Sequence, residues 1–60
     1  MNYFKLLNEY STKYLIICLK GNDKLLIKLQ KRLIKINPNF KDLNILIELL
    51  INYLSFKKIL

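Results

Sequence analysis

The chain has 60 residues, 53% of them apolar and 25% charged, with eleven Lys or Arg against four Asp or Glu and a net charge of +7. Without His and with a single Cys, it lacks a His-based catalytic triad, the ligand set of a structural zinc site and any internal disulfide. Fourteen Leu and nine Ile exclude an intrinsically disordered tail.

Two breaks, Gly21-Asn22-Asp23 and Asn37-Pro38-Asn39, divide the chain into three segments of similar length, and no repeat or low-complexity stretch runs through them. The first segment predicts a helix over residues 2–20. Asn2 is a candidate N-cap, and Gly21 sits where a left-handed residue commonly ends a helix. Tyr3, Leu7, Tyr10, Tyr14 and Ile17 recur at spacings of four, three, four and three, which is one helical stripe. Such an aromatic stripe serves as core or as a protein interface, where a tyrosine buries its ring and keeps its hydroxyl at the rim. With Lys5 and Lys13 beside it, the same stripe also has the makings of a platform for stacked bases.

The second segment predicts a helix over residues 23–36, with Asp23 as N-cap and Lys35 in the last turn, where a cation suits the helix dipole. Lys24, Lys28, Lys31 and Lys35 form a basic ridge with Arg32 at its edge, opposite an apolar face of Leu25, Leu26, Leu29, Leu33 and Ile36. Five cations along one face could contact the phosphates of RNA, DNA or lipid headgroups. Base-specific reading would fall to Arg32 and Gln30 alone. Ten Lys against one Arg, seven Asn and no Ala or Val point to a gene poor in G and C. That bias makes a plain solvated face the simpler account of the lysines.

Pro38 ends the second helix, and Asn39 with Asp42 three residues on suggests the cap of a third helix over residues 40–58. Between Leu43 and Phe56 its polar residues Asn44, Glu48, Asn52 and Ser55 form one narrow stripe on an otherwise apolar cylinder. A helix apolar on most of its circumference calls for cover on most of it, and Leu46, Leu50 and Tyr53 are its candidate contacts for a partner. Glu48 is the one carboxylate expected to be partly buried. Cys18, among Ile16, Ile17 and Leu19, reads as a small buried hydrophobe rather than a nucleophile.

The apolar stretch of the third helix spans fourteen residues with a charge inside it, against about 20 needed to cross a bilayer. No signal peptide or lipidation motif is expected, which places the chain in a cell or organelle interior, a membrane-associated complex included. The terminal Lys57-Lys58-Ile59-Leu60 has the form of a dilysine retrieval signal, which without a membrane span is read as chance.

These readings predict an all-α fold, a three-helix up-down-up bundle with short turns. A domain this small buries only about 60% of its unfolded surface, and with neither disulfide nor metal its missing stabiliser is expected to be self-association or a protein partner. The leading functional expectation is a non-catalytic accessory subunit of a larger assembly, without cofactor, metal or small-molecule substrate. It would dock through Tyr3, Leu7, Tyr10, Tyr14, Ile17, Leu46, Leu50 and Tyr53, with the lysines of the second helix turned to solvent, RNA or lipid headgroups. Two other classes fit the composition. One is a cationic membrane-active peptide: the size, the charge of +7 and the amphipathic helices are similar to those of leaderless bacteriocins, although the Trp anchors common in that group are missing. The other is a ribosomal-type ribonucleoprotein component bound through the basic ridge.

Overall fold

A computed structural model describes residues 3–60. Among them every regular element is helical: α1 (Tyr3–Leu7), α2 (Thr12–Leu19), α3 (Asp23–Ile36), a 3-10 turn (Pro38–Lys41) and α4 (Leu43–Phe56). The all-α class is therefore as the patterning predicts. The first helix is not. Residues 8–11 divide it into α1 and α2, because Glu9 and Tyr10 donate to the carbonyls of Leu6 and Leu7 and tighten the end of α1. Ser11 then takes an extended backbone and accepts from the Tyr14 N–H at 3.1 Å, starting α2 afresh.

The caps also shift by a residue or more from those expected. Asn22, not Asp23, caps α3, accepting from Leu25 N at 3.1 Å, while Asp23 lies in the first turn. Asn37 caps the 3-10 turn through the N–H of Asn39, and Asp42, rather than Asn39, caps α4 through the N–H of Asn44. Asn22 stands next to Asp23, so the choice between them depends on where the chain must bend. Asn2, the expected first cap, lies outside the described residues.

The end of α2 follows the sequence. Gly21 stands at φ +98°, with its N–H on Cys18 O and the Asn22 N–H on Ile17 O, the paired bonds of a Schellman motif. The end of α4 repeats the motif with a lysine: Lys58 adopts φ 60°, its N–H reaches Ser55 O, and Ile59 N reaches Leu54 O at 2.8 Å. Helix α4 accordingly stops at Phe56, short of the expected residue 58.

The core gathers Leu6 and Leu7 from α1, Leu15 and Cys18 from α2, Leu26, Leu29 and Leu33 from α3, Phe40, and Leu46, Leu50, Tyr53 and Leu54 from α4. The radius of gyration of the chain's Cα atoms, 10.4 Å, equals the value of about 10.4 Å expected for a closed domain of this length. Five residues would not hold a helix alone. Helix α1 is held by its rings: Tyr3 meets Phe40 edge-on at 4.9 Å, and Phe4 meets Tyr53 at 5.2 Å and Phe56 at 5.4 Å. Gln30 of α3 donates through Nε2 to the carbonyls of Phe40 and Lys41 at 2.9 and 3.3 Å and fixes the 3-10 turn against α3.

Candidate docking surface

The expected interface residues fall mostly inside the molecule. Leu7, Leu46 and Leu50 are fully buried and Tyr53 nearly so. They cover one another within one chain and have no surface to give a partner, which corrects their assignment. The tyrosine hydroxyls are likewise engaged internally. Tyr3 Oη accepts from Asn37 Nδ2 at 3.1 Å, Tyr10 Oη accepts from Arg32 at 2.9 Å, and Tyr53 Oη donates to Asn8 Oδ1. Tyr14 Oη reaches Leu25 O at 3.5 Å, and its ring lies 4.9 Å from that of Tyr10. Tyr3, Tyr10 and Tyr14 are half-buried members of the core's edge, so the stripe ties α1 and α2 to α3 and the 3-10 turn. Ile17 is half-buried and stands outside that core cluster.

The basic ridge divides in two. Lys24, Lys28, Lys31 and Lys35 are all exposed, on the side of α3 away from Leu26, Leu29 and Leu33, and none has a carboxylate partner among the described residues. Arg32 instead pairs with Glu9 at 3.1 Å and with the Tyr10 hydroxyl, whose ring it also faces at 5.6 Å. These bonds raise the guanidinium's already high pKa, the Tyr10 hydroxyl foremost. Its place is in the joint between α3 and the turn before α2, which corrects its assignment to the anion-contacting set. Gln30, the other candidate base reader, is held by the 3-10 turn.

Helix α4, expected to need cover, exposes apolar residues other than the Leu46, Leu50 and Tyr53 named for it. Its buried face is Leu46, Leu50, Tyr53 and Leu54. At 100° per residue the polar residues Asn44, Glu48, Asn52 and Ser55 lie on the opposite side, and all four are exposed. Glu48 is thus a solvent-facing carboxylate, contrary to the partial burial expected of it. Between these faces run two apolar flanks. Leu43, Ile47 and Ile51, at spacings of four, form one and are 46%, 37% and 43% exposed. Ile45 and Phe56 belong to the other, with Phe56 68% exposed despite its contact with Phe4. At this degree of exposure these side chains leave part of their apolar surface in water. The signal was present in the sequence as an apolar arc wider than one neighbouring face could hide.

Beside the second flank is a shallow hollow of about 240 Å³ lined by Phe40, Ile45, Glu48, Leu49 and Asn52. It is smaller than the roughly 300 Å³ at which small-molecule pockets begin. Cys18 is buried, and burial pushes its thiol pKa up, keeping it protonated and unreactive. No group of His, Cys, Asp and Glu among the described residues could hold a metal ion. No helix among them is long and apolar enough to cross a membrane. No family model, curated protein or solved structure matches the chain.

Proposed function

We propose that this chain is a non-catalytic helical subunit that docks on protein surfaces through the flanks of α4. The observation that supports the reading is the row Leu43, Ile47 and Ile51, left exposed by a fold whose core is otherwise closed. The row follows the i, i+4, i+8 ridge that packs into the groove of another helix. Its polar border of Asn44 and Glu48 would form the wet rim of such a contact. A bilayer surface fits α4 less well, because the polar stripe stands between the two apolar flanks and would have to enter the lipid with them.

The test is a photo-crosslinking residue placed at Ile51 or at Lys28 of the full chain in the cell that makes it. Position 51 is expected to give an adduct of one discrete mass that disappears when Ile47 is changed to Glu. Position 28 is expected to give none. Failure of position 51 to form an adduct would overturn the docking reading.

A second reading has its own observation, the four exposed lysines of α3, which have no carboxylate partner among the described residues. If the ridge binds RNA phosphates, a single-stranded 20-mer should bind with a log-log salt slope near −3, at ~0.7 per phosphate for four contacts. Lys28→Glu with Lys31→Glu should then abolish binding while leaving the helical signal intact. Unchanged binding would sink this reading.

A further inference from the structure

We infer that the lysine ridge of α3 takes the phosphate backbone of a nucleic-acid duplex in preference to a single strand, and without regard to base sequence. The inference rests on the RNA reading of the ridge above and names the form of polyanion from what the ridge has and what it lacks. At 100° per residue, Lys24, Lys28, Lys31 and Lys35 lie within about 60° of one another on the exposed side of α3. They extend over about 17 Å of helix, at 1.5 Å per residue. Double-stranded DNA carries one charge per ~1.7 Å of axis, so a run of that length offers about ten phosphates, and four lysines on flexible stems find partners in any register.

The groups that would favour a single strand are committed elsewhere. Single-strand sites stack unpaired bases on aromatic rings, and α3 has no aromatic residue. The ring of Tyr10 is faced by Arg32 and by Tyr14. Base edges are read by side chains such as Arg, Asn and Gln, yet Arg32 is held by Glu9 and Tyr10, and the Gln30 amide by the carbonyls of Phe40 and Lys41. What is left is charge. Contacts made by charge alone follow phosphate density, and a duplex releases ~0.9 counterion per contact against ~0.7 for a single strand. Over four contacts that difference amounts to about tenfold in affinity at 50 mM salt and about fourfold at 200 mM. An anionic bilayer fits the ridge less well. A membrane-bound helix sinks its apolar face into the acyl boundary, and that of α3 is turned to the core, with Ile27 its one exposed apolar residue.

Fluorescence anisotropy of the full chain from 50 to 200 mM salt tests this, with three labelled 20-mer probes: a DNA duplex, an RNA duplex and a single-stranded RNA. Both duplexes are expected to bind more tightly than the single strand, the tighter of the two naming the backbone preferred. For the DNA duplex the expected margin is about tenfold at 50 mM, with a log-log salt slope of about −3.6. RNA duplexes rich in A·U and in G·C should agree within about twofold, because no side chain reads their edges. Lys28→Gln with Lys31→Gln should bring the slope to about −1.8, while Lys57→Gln, beyond the end of α4, should leave it at the parent value. Circular dichroism should show both variants helical. A single strand bound as tightly as the duplexes would overturn the inference, as would a preference for one base composition or a slope indifferent to the changes at Lys28 and Lys31. So would tighter binding, at equal phosphate concentration, to vesicles of phosphatidylserine and phosphatidylcholine in equal parts. If the single strand binds with a slope near −3 and the duplexes bind no more tightly, the RNA reading stands and this inference alone falls. If no nucleic acid binds, both fall.

Discussion

Lys58 holds a backbone conformation that an L side chain occupies at a cost of roughly 1–2 kcal/mol, at the position where Gly21 ends α2 without that cost. Lys58→Gly is therefore expected to stabilise the chain by about 1 kcal/mol, less the extra freedom of glycine in the unfolded state. For a domain of this size that is a rise in Tm of up to about 4–8 °C by thermal circular dichroism. Gly21→Ala should move Tm the other way by a similar amount. Nothing lies within 4 Å of the added Cβ, so the whole effect would come from the positive φ. Gly21 was legible as a helix end from its identity. Lys58 was not, because a lysine in a left-handed position looks in sequence like any other lysine. The caps were half legible for a related reason: Asn22 and Asp23 are equally good acceptors, and only the path of the chain selects the first.

Among the elements, the 3-10 turn depends on α3 for its position. Gln30 gives both protons of its side-chain amide to carbonyls of that turn. Gln30→Ala should leave those acceptors with poorer partners and cost about 1–2 kcal/mol, read as a lower urea midpoint at unchanged m-value. Glu at the same place should be no better, since a carboxylate has no proton to donate. Nothing in the sequence marks Gln30 for this role, because its acceptors are backbone atoms ten and eleven residues away. The division of α1 from α2 was hidden for a different reason. Tyr3, Leu7, Tyr10 and Tyr14 keep a helical spacing across the break, and both halves turn the stripe inward. The turn is held by Asn8 on Tyr53 and by Glu9 with Tyr10 on Arg32, contacts made across 22 to 45 residues of chain.

For the molecule as a unit, stability is a small difference. At 0.05–0.15 kcal/mol per residue, a 60-residue domain is worth roughly 3–9 kcal/mol. Leu33 is fully buried on α3, and Leu33→Ala should cost about 2.7–5 kcal/mol, a large share of that reserve, read as a strongly lowered Tm by thermal circular dichroism. Ile27→Ala, at an exposed position of the same helix, should lie within about 0.5 kcal/mol of the parent. The class of the fold, the span of α3 and its two faces could all be read from periodicity. Which residues of α4 would stay uncovered could not. Helical spacing shows that Leu46 and Ile47 are both apolar, but a chain with so few neighbouring helices can hide only one arc, and the packing of α1 and α2 decides which.

The rings that fasten α1 also set an order of assembly. Phe4 reaches Tyr53 and Phe56, and Asn8 reaches Tyr53, so docking α1 closes loops of about 45 to 52 residues, whereas α2 with α3, and α3 with the 3-10 turn, are sequence neighbours. Long loops close late because their ends have the most freedom to lose. Helix α1 thus acts as a clasp, the last piece to seat and the first to lift. When it lifts, the rings of Tyr53 and Phe56 lose their cover, and α4 presents a broader apolar face than the closed chain does. A partner that prefers the broader face would hold the clasp open, and its affinity would then be set in part by how firmly five residues grip the far end of the chain.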